Sequence, residues 1–393
     1  MSNSGKVPKF LIRSAGRGMP GVCVGDGLPK LIAVVGLTGN AQAADDELAK
    51  AKLAGKLGVR LLADVTTVGD IAAFQRRLTA EIDMPLCSVP LYEIHQEAKR
   101  RRLWNDNLPR NLVLDVIEAQ AERGVGCMTI HASYRREHLK KVEHCRRRVR
   151  IQGRGAGLVH DLFVHSQREN PLAEGFEEIL GVLRRHGVAL SLGNCLRVGS
   201  AEDPVDELVH EEVLIWRELA SLARQRGVGV MIEGGSHLRM EMIGPYIRWV
   251  SELCAGAPLR MLGPIATEAG LGYDHITGAI SAVEAIRGGA ELLTVVTRAE
   301  HIGLPSVEDV REGIVAYRIA IELTTSSEAR TSSRGHFSCG LGLPGYSPGD
   351  FIDLERALEL RVSRSGGAPT TCSMCGELCG IKLGRASVER SDA

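Results

Sequence analysis

The sequence carries no excess charge of either sign, since 48 lysines and arginines balance 48 aspartates and glutamates over 393 residues. That balance removes the electrostatic basis for nucleic acid or an anionic membrane as a principal partner. No apolar run approaches the roughly 20 residues that a membrane-spanning helix needs. The opening Met1-Ser-Asn-Ser-Gly-Lys6 has no apolar centre of the kind that secretion signals carry. The expectation is therefore a cytoplasmic protein with no membrane partner and no nucleic-acid partner. Also missing is a Gly-x-Gly-x-x-Gly turn after the first apolar run, which argues against dinucleotide binding. The basic stretch from Lys140 to Arg150 reads most simply as a solvated helix face, and more sharply as a patch facing a phosphate.

Ten cysteines are present. In a reducing compartment they are mostly free thiols. Seven of them (Cys23, Cys87, Cys127, Cys145, Cys195, Cys254, Cys339) are scattered singly, as small core residues are. The other three are spaced like ligands in Cys372-Ser-Met-Cys375-Gly-Glu-Leu-Cys379. Three thiols cannot pair among themselves without leaving one over. A [4Fe–4S] cluster held by three cysteines keeps one iron open to a small molecule such as S-adenosyl-L-methionine, whereas structural zinc takes four protein ligands. Both readings stand on the loop alone, the zinc reading with His336 or Cys339 as the fourth ligand.

Along the chain an alternation repeats: a helical stretch, a glycine, then a short apolar run. The runs are Leu31–Gly36, Val59–Val65, Pro85–Val89, Gly126–His131, Val188–Leu192, Val228–Glu233, Leu259–Ile265 and Ala290–Val296. Continuous apolar runs fit strands buried on both faces, and helical crossovers require parallel pairing. Eight such units predict a (β/α)8 TIM-type barrel, with a doubly wound open sheet as the alternative. In the segment Asp206–Arg224, Leu208, Ile215, Leu219 and Leu222 form an apolar stripe at helical spacing. A further helix is expected after Pro305, to about Leu323, and a short one over Phe351–Val362. The domain reading is an N-terminal wrapping segment over 1–30, the barrel over 31–325, and a C-terminal linker with the cluster-binding cysteines over 326–393.

Barrel enzymes gather their chemistry where strands end, so the polar residues at those ends are the candidates. They are Asp64, Tyr92, His131, Asn194, Arg197, Glu233, His237, Thr267, Glu268, Glu300 and His301. Any of Asp64, Thr267 and Glu268 can equally be a loop cap or a supporting hydrogen-bond partner. His237 and His301 offer neutral nitrogen donors for a divalent metal with positions left for solvent or substrate. Arg197 suits a phosphate or carboxylate, and Glu233 can orient a ribose hydroxyl or move a proton.

The segments Val230-Met-Ile-Glu233-Gly-Gly-Ser-His237, Gly272-Tyr-Asp-His275-Ile-Thr-Gly, Val295-Val-Thr-Arg-Ala-Glu300-His301-Ile-Gly-Leu-Pro305 and Thr129-Ile-His131-Ala, together with the cysteine loop, resemble the phosphomethylpyrimidine synthase (ThiC) family in order and spacing. The similarity covers about residues 30 to 380. It implies a barrel with a C-terminal cluster segment exchanged across a homodimer, and Zn2+ or another divalent metal on His237 and His301. It also implies a [4Fe–4S] cluster on Cys372, Cys375 and Cys379 that cleaves S-adenosyl-L-methionine reductively, fed by a reductase or flavodoxin-type electron donor. In that family the resulting radical rearranges aminoimidazole ribonucleotide, a phosphorylated small molecule, to hydroxymethylpyrimidine phosphate for thiamine. Glu233, Tyr92 and His131 are the catalytic candidates, orienting the ring or sugar; Tyr92, His131, Arg154, Gly155, Arg197 and Glu233 match the family's substrate contacts, and Asn194 and Arg260 stand at substrate-binding positions where the residue differs.

This chain departs from the family pattern at several points. The cysteine loop is one residue shorter before Cys379. An Asp-Gly-Leu-Arg segment reads Asn194-Cys195-Leu196-Arg197, and a Ser-Arg-Gly segment reads Gly153-Arg154-Gly155. A substrate-contacting methionine is Ala63, a tyrosine is Arg260, and the asparagine-rich end of the first strand is Val35-Gly-Leu-Thr-Gly39. Three alternatives accompany the leading expectation of a radical lyase. They are a paralogue of the 5-hydroxybenzimidazole synthase type, a metal-dependent hydrolase on the same barrel, and a non-catalytic zinc-binding module.

Overall fold

The computed structural model describes residues 9–15, 21–39, 43–104, 108–325, 351–364 and 378. The chain divides into two compact units, Met1–Thr324 and Thr325–Ala393. In the first, eight parallel strands close into a barrel: β3 (Lys30–Val35), β4 (Leu61–Asp64), β5 (Leu86–Ser88), β6 (Cys127–Ile130), β7 (Ala189–Leu192), β8 (Val230–Glu233), β9 (Leu259–Leu262) and β10 (Leu292–Thr294). Each strand pairs with the next in sequence, and β10 returns to β3. The (β/α)8 expectation holds because these short runs are buried on both faces, which parallel strands under a ring of helices require.

Helices follow every strand and pack outside the barrel, among them Ala44–Lys56, Arg110–Glu122, Glu207–Gln225, Asp274–Gly288 and Val307–Thr324. The glycine punctuation has a physical cause. Gly187 and Gly289 end their helices at φ 65° and 102°, a left-handed backbone that side chains disfavour, and the chain then enters β7 and β10. Helix starts are set by capping: the Asp206 carboxylate accepts the Val209 N–H at the head of Glu207–Gln225.

Two apolar clusters result. The larger lies between strands and helices and includes Trp216, Phe163, Ile117, Ile247 and Tyr317. The smaller fills the barrel's interior with Ile32, Leu61, Ala63, Cys87, Cys127, Ala189, Met231 and Leu292.

The N-terminal segment does more than wrap. Within it β1 (Phe10–Ile12) and β2 (Val22–Val24) form an antiparallel pair, and Ile12, Val22 and Val24 join the interior cluster. The adjoining loop is fastened to the start of β10 by Glu291, which accepts the Gly25 N–H at 2.7 Å and pairs with Lys30 Nζ at 2.9 Å. The Glu207–Gln225 helix also differs from its expected stripe. Its buried face is Leu208, Val209, Glu212, Val213, Trp216, Leu219, Ala220 and Ala223, while Ile215 and Leu222 are only partly covered. The large Trp216 and the buried Glu212 rotate the face away from the one that aliphatic residues alone suggest.

The second unit has a described helix, Leu354–Arg364, whose first turn is met by the Asp353 carboxylate accepting the Arg356 N–H at 3.2 Å. No helix among the described residues is long and apolar enough to cross a membrane.

Candidate active site

At the C-terminal ends of the strands the barrel opens into a cavity of about 330 Å³. Tyr92, His131, Arg154, Gly155, Asn194, Arg197, Glu233, His237, Arg260, Glu300 and His301 all line it. The residues expected from sequence to act together therefore do converge, although they come from five different strand-to-helix connections and from within β8 and β9.

One side of the cavity is cationic, lined by Arg154 and Arg197. The β6-to-β7 connection delivers Gly153 at φ 93° and then the first turn of the helix Arg154–His165, whose opening N–H groups are unpaired within the helix. Arg197 stands beside it: a Cβ on Gly153 would lie 3.3 Å from Arg197 Nη2. Arg197 Nε donates to Gln152 Oε1 at 3.0 Å, while its buried Nη1 has no partner among the described residues. Burial pushes the Arg197 pKa down, and a guanidinium still keeps its charge at neutral pH. Arg154 Nη1 donates to the Val65 carbonyl at 3.0 Å, and its guanidinium lies 6.0 Å from the centre of the Tyr92 ring.

The floor carries a buried ion pair. Glu233 ends β8 and is the register partner of Arg260 on β9, whose Nη1 lies 3.5 Å from Glu233 Oε1. Arg260 Nε also donates to Thr294 Oγ1 at 3.0 Å. Glu233 Oε2 accepts the Asn194 N–H at 3.2 Å, and the Asn194 amide donates to the Gly234 carbonyl at 2.6 Å. Two buried rings complete this region. Burial raises the Tyr92 phenol to about 12, so it is a neutral donor. Burial lowers the His131 pKa, which favours a neutral imidazole, and its buried Nδ1 has no partner among the described residues. His131 is wedged between two glycines: a Cβ at Gly155 would stand 2.2 Å from its Nε2, and one at Gly193 would stand 2.9 Å from its Cδ2.

On the opposite rim, His237 and His301 come together with ring centroids 5.4 Å apart. Each ring is held from behind by a carboxylate. His237 Nδ1 lies 3.1 Å from Glu268 Oε1, and His301 Nδ1 lies 3.0 Å from Asp274 Oδ1. With Nδ1–H donating to the carboxylate, each Nε2 keeps its lone pair, the arrangement in which histidines serve metals. Burial lowers the His237 pKa, again favouring the neutral ring. Among the described residues no group of three or more His, Cys, Asp or Glu is placed to hold a metal ion.

Three strand-end residues support the site without lining it. Asp64 accepts from Thr66 Oγ1 at 2.5 Å and from Gln75 Nε2 at 3.0 Å, Thr267 caps the short turn Glu268–Gly270, and Glu268 backs His237. Ala63 does line the cavity. The basic stretch is not one solvated helix face: the helix ends at His144, and beyond it Arg147 is buried, donating to Asp206 Oδ2 at 2.8 Å and to the Arg197 carbonyl at 3.1 Å. Cys372, Cys375 and Cys379 lie outside the described residues, as do His336 and Cys339. Sequence reasoning missed Gln152, Asp274 and Glu212. The first two carry no periodic signal, while Glu212 carries a misleading one, a charge on a face otherwise apolar.

A family model described as the Radical SAM ThiC family matches residues 11–386. Among curated relatives, the phosphomethylpyrimidine synthase of Carboxydothermus hydrogenoformans is 37% identical over 92% of this chain and 85% of its own length. The phosphomethylpyrimidine synthase of Methanopyrus kandleri is 35% identical over 94% of this chain and 87% of its own, and that of Thermoanaerobacter sp. is 33% identical over 92% and 85%.

Proposed function

The chain belongs to the radical SAM ThiC family, and from that premise we propose that it is a phosphomethylpyrimidine synthase, rearranging aminoimidazole ribonucleotide to hydroxymethylpyrimidine phosphate in thiamine biosynthesis. Membership implies S-adenosyl-L-methionine and an iron–sulfur cluster. The observation that supports the substrate assignment is the two-ended cavity. It has a buried guanidinium nitrogen of Arg197, without a partner among the described residues, at a helix N-terminus on one side, and the buried Tyr92, His131 and Glu233 on the other.

In this reading Arg197, Arg154 and the N–H groups around Gly155 grip the phosphate, with charge-assisted hydrogen bonds fixing one end of the ribonucleotide. Glu233 is held by Arg260 and the Asn194 N–H, so its carboxylate accepts from a ribose hydroxyl or ring amine without reorganising. Tyr92 and neutral His131 orient the ring. Cys372, Cys375 and Cys379 would hold a [4Fe–4S] cluster, which together with S-adenosyl-L-methionine would supply a 5′-deoxyadenosyl radical. The donor pair His237 and His301, each backed by a carboxylate, fits Zn2+, which supplies Lewis acidity beside the substrate. Residues 31–325 form the catalytic barrel and 326–393 the linker and cluster segment, exchanged across a homodimer. The enzyme works in the cytoplasm with a reductase or flavodoxin-type electron donor.

The test is anaerobic incubation of the iron- and sulfide-reconstituted chain with dithionite, S-adenosyl-L-methionine and aminoimidazole ribonucleotide, followed by mass analysis. Hydroxymethylpyrimidine phosphate and deoxyadenosine are expected, and neither from Cys375→Ala. Deoxyadenosine without the pyrimidine refutes the substrate and leaves the radical chemistry. Protein that binds no iron refutes both.

A further inference from the structure

Glu212 is fully buried in the middle of the barrel-facing side of the helix Glu207–Gln225, between Leu208, Val209, Val213 and Trp216. A carboxylate there is costly unless its oxygens are used. They are used by two separate loops of the active site. Oε1 accepts from the hydroxyl of Ser133 at 2.6 Å and from the N–H of Cys195 at 2.6 Å, and Oε2 accepts from the N–H of Leu196 at 3.0 Å. Ser133 lies two residues beyond His131, and Cys195-Leu196 lies between Asn194 and Arg197. One side chain thus ties the connection after β6 to the connection after β7.

We propose that Glu212 is a positioning residue, whose carboxylate locks the Asn194–Arg197 turn against the His131–Ser133 turn so that the Arg197 guanidinium is preset for a phosphate monoester. Glu212 does not line the cavity. The inference rests on the reading above that Arg197 takes the substrate's phosphate. The turn has a second fastening at its far end, where Arg147 donates to the Arg197 carbonyl. Glu212 is therefore the support on the side nearer the barrel. The groups that face it are the Arg147 and Arg197 guanidiniums, the Cys195 thiol and the Tyr246 phenol. Burial pushes its pKa up to about 7, against the hydrogen bonds of Ser133, Cys195 and Leu196 and the charge of Arg147. Protonation converts one acceptor oxygen into a donor facing N–H groups, so the lock loosens as pH falls through neutrality.

Ribose 5-phosphate is the probe, because it carries the phosphate and sugar without the heterocycle, titrated into the full chain by calorimetry between pH 6 and 8. Glu212→Gln keeps the shape and one acceptor oxygen but cannot serve both backbone N–H groups. It is expected to weaken binding about tenfold at pH 8, the worth of one charge-assisted hydrogen bond. Its affinity should also vary less with pH than that of the parent, the probe's own second ionisation near pH 6 being common to both. Ser133→Ala, which removes a single donor, should weaken binding less. If Glu212→Ala fails to fold, Glu212→Gln, shown by circular dichroism to be folded under the titration conditions, decides. Equal affinity and an equal pH profile for Glu212→Gln and the parent overturn the proposal. So does a parent that does not bind ribose 5-phosphate, since no clamp then exists to be held. A parent that binds the probe yet makes no pyrimidine from aminoimidazole ribonucleotide sinks the substrate assignment alone.

Discussion

Glu233 and Arg260 face one another across β8 and β9 as register partners, with Oε1 and Nη1 3.5 Å apart and both side chains less than a tenth exposed. A pair this deep couples site chemistry to stability, because either charge alone is stranded in a low-dielectric environment. Glu233→Gln and Arg260→Met should each lower unfolding stability by about 3 kcal/mol. The double variant should lose less than the sum, with a coupling of about 1 to 3 kcal/mol. Denaturant melts followed by circular dichroism read this, and strictly additive losses exclude the pair as an energetic unit.

Arg197→Lys tests the phosphate clamp. The lysine keeps the charge but loses the planar fork, together with the Nη1 donor that has no partner among the described residues. The KM for the ribonucleotide should rise about thirtyfold, some 2 kcal/mol, with kcat changed much less, because the phosphate is gripped equally before and during the reaction. A fall in kcat at constant KM contradicts the assignment.

Much of this arrangement was legible in the sequence for a definite reason. Strands such as Cys127–Ile130 and Val230–Glu233 are buried on both faces, so their composition announces them, and glycines such as Gly187 and Gly289 mark where each helix must stop. The residues at strand ends follow once the strands are placed. What escaped is whatever depends on contacts distant in sequence. Three-residue strands such as Phe10–Ile12 are too short to show a period, and their pairing depends on a barrel floor that only the folded chain supplies. Asp274 reads as an ordinary carboxylate until the fold brings it behind His301, while Glu268, a strand-end candidate from the sequence, shows its partner His237 only in the folded chain. Glu212 hid because periodicity assigns charges to solvent, and only the two loops it serves explain its burial.

Those two carboxylates carry the next prediction. If His237 and His301 bind zinc through Nε2, then Glu268→Ala and Asp274→Asn should each weaken zinc affinity by about 10- to 100-fold without removing a ligand. His237→Ala should lose the metal nearly completely. Competition against a chromophoric chelator measures all three. Zinc affinity unchanged in both carboxylate variants shows that the rings are held by something else.

The buried carboxylate of Glu212 also makes a claim on stability that runs opposite to its claim on binding. Its pKa stands at about 7 in the folded chain against an ordinary 4.5, raised by burial. Between those values the native protein holds a proton that the unfolded chain has released, so stability falls as pH rises. The contribution is fully present below pH 4.5 and gone above about pH 7. Against Glu212→Gln, which does not titrate, the parent should therefore lose about 2 kcal/mol of relative stability between pH 5 and pH 8. Paired melts of the two proteins across that range isolate the group, because every other titrating residue is shared. A difference that stays flat, or that grows in the parent's favour with pH, means that the carboxylate is already ionised at pH 5 and that its three donors outweigh its burial. In that case binding and stability respond to pH independently. If the slope is as expected, conditions that make the site most competent are those in which this helix holds the barrel least tightly, since the same oxygens that fix Arg197 must first be stripped of a proton inside an apolar layer.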